Sequence, residues 1–346
     1  MKSNLKSNIL QQVQYLKKSI KKTLYSNNHY QDNQQYYNIV FGVDSDFILH
    51  ACITIRSLIA HIHEGQVHFY LITAEDISHI KNSLLSIITG TIHIIHVYHL
   101  PKKLFTSLPS TQLFSKAIYY RLLAPYLLEN EATILYLDAD IVCLNIFTNF
   151  YNSRLATTDI ALVVSEKEDL APKLASNIGL QGSRYFNSGM LLINVQRWLQ
   201  ENISDKTILI LESEGHTFKY MDQDALNITL EGKVKFVEKK YNLIFMLGHQ
   251  EIDNKIMPAT DTVFLHYAGA DKPWQKWNKQ AGAMFYKNIS DSLLWPLNCL
   301  DAPKNDDQAK KMYHLMFREK KYLSGVRWYF SYFMLRYSKL GIRIFK

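Results

Sequence analysis

Thr133-Ile134-Leu135-Tyr136-Leu137-Asp138-Ala139-Asp140 is the stretch on which the reading of this chain turns. Its first five residues are β-branched, aliphatic or aromatic, and they predict a short strand buried on both faces. Two carboxylates follow, two positions apart. On extended chain such residues point to the same side, so both acids can face one point in space. Adjacent carboxylates repel unless positive charge lies between them, and a divalent cation is the natural candidate. A turn carrying two solvated aspartates fits the same pattern, and D-x-D alone does not separate the two readings.

Outward from that strand, the pattern alternates. Residues 38–43, 67–73, 91–97, 160–164, 190–195 and 262–265 read as strands, and 51–62, 77–88 and 116–128 as helices. Alternation of this kind predicts an α/β fold with a mainly parallel sheet covered on both faces. Ligands of such sheets lie beyond the carboxyl ends of the strands, so polar residues just after strands are candidates. One such place is His266-Tyr267-Ala268-Gly269-Ala270-Asp271-Lys272-Pro273-Trp274. Its histidine suits a metal, its glycine a close backbone approach, and its lysine a phosphate. Singly, these are also an ordinary core histidine and a solvated lysine; together they suit a metal-bound diphosphate.

The 346 residues are 47% hydrophobic with only 13 Gly and 8 Pro, which excludes fibrous and low-complexity classes. Cys52, Cys143 and Cys299 are odd in number and widely spaced, so a disulfide framework or zinc cluster is not expected and a reducing compartment is. No secretory signal and no run near the roughly 18 apolar residues of a spanning helix are visible. The net charge of +8 is uneven: +5 over residues 1–37, +8 over 304–346, and −5 between them. Basic ends around an acidic middle suggest that the ends meet an anionic surface while the middle does chemistry.

The expected organisation is therefore a basic N-terminal extension and linker (1–37), a catalytic domain (38–303) and a basic aromatic tail (304–346). In the extension, Leu5, Ile9, Val13, Leu16, Ile20 and Leu24 form an apolar helical stripe. In the tail, Tyr322, Trp328, Phe330 and Phe333 lie among Arg327, Arg336 and Lys339. That mixture suits a membrane interface, with a helical hairpin packed on the catalytic domain as the alternative. No nucleic-acid-binding motif accompanies the charge.

Asp138-Ala139-Asp140 after a strand, with H-x-x-G-x-x-K-P-W far downstream, resembles glycosyltransferase family 8, which includes bacterial lipopolysaccharide hexosyltransferases and the glycogenins. Further matching pieces occur in the family's order. They are Ile39 to Asp44, Ser115-Lys116-Ala117 with Tyr119-Tyr120-Arg121, Tyr185-Phe186-Asn187-Ser188-Gly189, and Asp222-Gln223-Asp224. The resemblance spans roughly residues 38–280. It implies a GT-A fold with one nucleotide-sugar-binding domain and a mixed sheet. It also implies a retaining transfer of glucose or galactose from a UDP-hexose to a lipid-linked lipopolysaccharide core.

Carried over residue by residue, the resemblance makes Asp138, Asp140 and His266 the metal ligands. Gly42, Asp44 and Asp46 fall on nucleotide-contacting positions, with Ala139 in the D-x-D segment. Gly269 and Lys272 fall on diphosphate contacts. Arg121, Asn187, Ser188, Gly189, Asp222 and Gln223 surround the donor hexose, with Asp224 as a further polar candidate at the reacting carbon. Asp46 stands where related bacterial enzymes carry Asn, and a carboxylate accepts where an amide also donates. Imidazole among the ligands favours Mn2+ over Mg2+. Asp222 or Asp224 could instead cap a helix over 225–230, and Asn187 and Gly189 could be a strand bulge.

The implied location is cytoplasmic, peripheral on the inner face of the membrane. Two rivals remain. A nucleotidyltransferase would want a glycine-rich phosphate loop near the first strand, and Gly42-Val43-Asp44-Ser45-Asp46 is not one. A non-catalytic membrane-surface protein with a transferase-like fold would not be expected to keep every polar position occupied.

Overall fold

The computed structural model describes residues 20–26, 35–111, 114–156, 158–248, 257–293 and 300–339. The chain divides into two compact units: Met1–Phe245 with Pro258–His266, and Met246–Met257 with Tyr267–Lys346.

The first unit holds the strands β1 (Lys21–Tyr25), β2 (Tyr36–Gly42), β3 (Gln66–Thr73), β4 (Ile94–His99), β5 (Thr133–Leu137), β6 (Ile141–Cys143), β7 (Ala161–Ser165), β8 (Phe186–Asn194), β9 (Val234–Val237), β10 (Leu243–Ile244) and β11 (Phe264–His266). Eight of them form one sheet in the order β1-β4-β3-β2-β5-β8-β7-β9, and β10-β11-β6 form a second. In the large sheet β4-β3, β3-β2, β2-β5 and β7-β9 are parallel, while β1-β4, β5-β8 and β8-β7 are antiparallel. This is the mixed, mainly parallel α/β sheet expected from the sequence. Apolar stretches such as Met190 to Ile193 of β8 are stable here because both faces are covered: all four side chains are buried, and Leu191 shares one core with Val40, Tyr136 and Trp198.

Two local expectations change. Residues 116–128 form a 3-10 helix, Lys116–Leu122, and then a single α-helical turn, Ala124–Leu127, with Pro125 at its start. Proline supplies no N–H and clashes with the preceding turn, so it begins a helix rather than continuing one. At the N-terminus, Ile20 to Leu24 do not continue a helical stripe. Lys21–Tyr25 is an edge strand, antiparallel to β4 with Lys21 opposite His99. Lysines on an edge discourage further strand pairing, and the ladder outweighs the spacing of Ile20 and Leu24. The rest of the stripe, Leu5 to Leu16, and most of the linker lie outside the described residues, as does the tail beyond Lys339.

The second unit contains the helices Met284–Ser292, Asp306–Arg318 and Tyr322–Lys339. Asn305 caps the second of these by accepting from Gln308 N, and Asp306 and Asp307 favour its positive end. That helix stops at Lys320, whose φ is +60°; Lys320 N donates to Phe317 O and Lys321 N to Met316 O. This paired closure turns the chain into the last helix. Met312, Leu315 and Met316 pack on Trp277 with Trp328 beside them. On the last helix Leu323, Phe330 and Met334 stay exposed. Among the described residues no helix is long and apolar enough to cross a membrane.

Candidate active site and metal centre

Two strand pairings converge to build the site. In the β5–β8 ladder Leu137 lies opposite Met190, and the next step joins Asp138 N to Gly189 O at 2.8 Å. In the β6–β11 ladder Ile141 lies opposite His266. The two aspartates therefore lie between β5 and β6, beside the point where His266 ends β11. Thr54, on the helix Ile48–Ile59, donates to Ala139 O and bonds Ile141 O, which clamps the connecting turn from below.

Asp138, Asp140 and His266 each offer a ligand atom within 4.8 Å of the others. His266 Nε2 lies 3.2 Å from Asp140 Oδ1, both side chains being buried. Gly189 makes this approach possible: a Cβ there would lie 2.4 Å from His266 Cε1 and 2.9 Å from Asp138 Oδ2. Two carboxylate oxygens and an imidazole nitrogen gathered against a bare backbone fit a divalent cation of intermediate softness.

Around the trio lies a buried ionic cluster. Arg121 Nη2 donates to Asp138 Oδ1 at 2.8 Å, and Nη1 to both the carbonyl and the hydroxyl of Ser188. Its Nε lies 3.0 Å from Asp222 Oδ2, and its guanidinium stacks on the Tyr136 ring at 4.6 Å. Tyr136 also donates to Asp138 Oδ1. Burial pushes the Asp222 carboxyl up to about 7 although Arg121 pulls the other way.

Gln223 Oε1 accepts from Ser188 N, and its Nε2 donates to Tyr185 OH. Asn187 Nδ2 donates to Glu166 Oε2 at 3.1 Å. The register of β7 on β8 shifts between Val163 and Val164, so the bulge left open by the sequence is present beside Asn187 to Gly189. Asp224 is turned elsewhere: Tyr185 OH donates to one carboxylate oxygen and Tyr220 N to the other. The helix begins at Asp222 with Met221 at its N-cap and no side-chain cap, so Asp224 lies in the first turn rather than capping it, and it shares Tyr185 OH with Gln223. Just before, Met221 has φ +46° and ψ −111°, a region that a side chain strains, held by the helix Asp222–Thr229 that follows it.

Of the nucleotide-contacting candidates, Gly42 packs under the segment 116–122, where a Cβ would meet Tyr120 Cβ at 2.9 Å. Asp44 accepts from the N–H groups of Asp46 and Phe47 and from the Ser115 hydroxyl. Asp46 is exposed. Gly269 and Lys272 belong to the second unit, where Gly269 has φ +89° and Lys272 Nζ donates to Tyr267 O at 2.7 Å. The sequence did not single out Thr54, Tyr136, Glu166 or Asn242. Each is a polar group inside an otherwise ordinary helix, strand or turn, and a buried polar group is conspicuous only once burial is known.

A family model for glycosyl transferase family 8 matches residues 38–278, and one for the C-terminal part of that family matches 283–336. A lipopolysaccharide 1,3-galactosyltransferase of Salmonella typhimurium is 32% identical over 321 residues, covering 91% of this chain and 95% of the relative. The lipopolysaccharide glucosyltransferase WaaO of Escherichia coli is 32% identical over 312 residues, covering 86% and 90%. Among solved structures, galactosyltransferase LgtC in complex with donor and acceptor sugar analogs superposes with a TM-score of 0.62 at 22% identity, over 77% of this chain and 98% of that one. That likeness establishes the fold as GT-A. The chain belongs to glycosyl transferase family 8.

Proposed function

We propose that this enzyme transfers a glucosyl or galactosyl residue from a UDP-sugar to the oligosaccharide core of a lipopolysaccharide, with retention of anomeric configuration. The observation that carries the reading is the trio Asp138, Asp140 and His266, gathered at the ends of β5, β6 and β11. These three residues would hold a divalent cation, Mn2+ in preference to Mg2+, whose positive charge would offset the negative charge of the departing diphosphate. Arg121 fixes the Asp138 carboxylate and ties it to Ser188 and Asp222. Asn187, Asp222 and Gln223 are the side chains proposed to orient the donor hexose, and Asp44 and Asp46 the uridine. The diphosphate roles of Gly269 and Lys272 rest on their motif. The relatives named for lipopolysaccharide transfer support the acceptor class.

The same proposal places the enzyme at the cytoplasmic face of the inner membrane, where a lipid-linked acceptor is presented. Its support is the last helix, which exposes Leu323, Phe330 and Met334 in a segment of net charge +8. Apolar and aromatic groups among cations suit an anionic lipid surface.

The test is a donor panel. Purified enzyme is given UDP-glucose or UDP-galactose with rough lipopolysaccharide cores, first in chelator and then with Mn2+ restored. Transfer from one donor, abolished by chelator and recovered with Mn2+, is expected. Full turnover in excess chelator would remove the metal from the scheme, and transfer from neither donor would remove the substrate.

A further inference from the structure

His266 is joined to a buried chain of side-chain amides. Its Nδ1 lies 3.0 Å from Asn242 Oδ1, and Asn242 Nδ2 donates to Asn187 Oδ1 at 3.0 Å. The same Asn187 oxygen accepts from Gly189 N at 3.0 Å. Asn242 is 1% exposed and sits immediately before β10.

The end of this chain fixes its direction. A backbone N–H can only donate, so the Asn187 atom facing Gly189 is its oxygen. Its NH2 then faces Glu166, where a carboxylate accepts it. With its oxygen toward Asn242, Asn187 requires a donor there, which is the Asn242 NH2. That turns the Asn242 oxygen toward His266, and an amide oxygen takes only a proton. A proton therefore sits on Nδ1, which leaves Nε2 as the nitrogen able to offer a lone pair to a metal. Nε2 is the nitrogen that lies 3.2 Å from Asp140 Oδ1, on the side of the carboxylates.

We propose that Asn242 is the positioning residue of the metal centre. It holds His266 in the Nδ1–H tautomer, so that Nε2 faces Asp138 and Asp140 as a ready ligand. The proposal rests on the metal reading given above. A histidine ligand whose second nitrogen loses its partner is free to exchange tautomers and to turn, and losses of about 10- to 100-fold in metal affinity follow.

Two measurements test it. The first needs no substitution: nitrogen-15 NMR of the metal-free wild-type protein with labelled histidine. A proton on His266 Nδ1 is expected, and an Nδ1 without one overturns the proposal. The second is Mn2+ titration of the wild type, Asn242→Ala, Asn242→Asp and His266→Ala, each checked for its fold by circular dichroism. Asn242→Ala is expected to bind Mn2+ about 10- to 100-fold more weakly. Asn242→Asp keeps an acceptor for the Nδ1 proton but removes the donor to Asn187, and is expected to lose less than Asn242→Ala. Wild-type affinity in Asn242→Ala sinks the role of Asn242 and leaves the metal site standing. Wild-type affinity in His266→Ala sinks the metal site itself, and this proposal with it. Should the Asn242 variants not fold, the wild-type tautomer decides alone.

Discussion

Gly189 and His266 touch across the join of the two sheets, so closely that a Cβ on the glycine would lie 2.4 Å from the imidazole Cε1. The contact is between a strand backbone and a ring buried to 4% exposure, and neither has room to retreat. Gly189→Ala is therefore expected to displace His266. Mn2+ affinity should fall at least tenfold, with a stability loss of about 1–3 kcal/mol from overpacking. Titration beside a thermal melt separates the two effects, and an alanine variant that binds Mn2+ normally contradicts the geometry.

Arg121 serves Asp138, Asp222 and Ser188 with one planar fork. A lysine ammonium is a single point charge and cannot span all three. Arg121→Lys should keep the fold yet lose most turnover, and Arg121→Leu should destabilise by about 3–5 kcal/mol because buried carboxylates lose their counter-charge. Urea unfolding and initial rates check this. Equal turnover in Arg121→Lys would show that charge alone suffices.

The sheet carries a pH dependence of its own. His96 stacks on Tyr70 at 4.6 Å, and burial, then the neighbouring charges of His68 and Lys22, hold its pKa down at about 4. The unfolded ring binds its proton first, near 6.5. Its contribution is thus complete above that value and is lost as pH falls toward about 4. The loss should be about 1–2 kcal/mol for this ring by a pH of about 5. His93 behaves alike: burial, then the charge of His68, holds its pKa down at about 4. Chemical denaturation across this range should show a flatter dependence in His96→Phe; an unchanged slope would mean that other groups set the acid limb.

The C-terminal segment has two parts with different expected behaviour. Asp306–Arg318 buries Met312, Leu315 and Met316 on Trp277, so removing everything after Pro303 should expose core. The last helix is the part to alter. Leu323→Glu with Phe330→Glu should weaken sedimentation with anionic vesicles while leaving transfer to a short soluble acceptor intact. High salt should release the wild type only partly, because about 1 kcal/mol per basic residue is screened and the apolar part is not. Undiminished vesicle binding by the double variant would shift membrane contact away from this helix.

The trio was legible in the sequence because its signals are local. Asp138 and Asp140 declare themselves as a close pair at the end of a buried strand, although Ala139 and Asp140 form a turn and not extended chain, and His266 by its place after a strand. Asn242 carries no such mark: it is one amide between Tyr241 and Leu243, and its partners Asn187 and His266 reach it only through folded ladders. Ile20 and Leu24 misled for a related reason, since spacing of three and four says nothing about an open sheet edge beside β4. The continuous helix expected over 116–128 gave way to Pro125, whose restriction on the preceding turn was readable but outweighed by the apolar periodicity.

The pairing of Ile141 with His266 also sets an order of events during synthesis. The ribosome delivers both aspartates long before the histidine, and at about 5–20 residues per second the interval is on the order of 10 s. Until β11 docks on β6, the emerging chain presents only a pair of carboxylates, a weak and unselective hold on any divalent ion. Nitrogen joins the oxygen ligands only after a long-range strand pairing, a late and slow step in assembling a sheet. On the metal reading proposed above, a complete set of three donors would exist only once that pairing has closed.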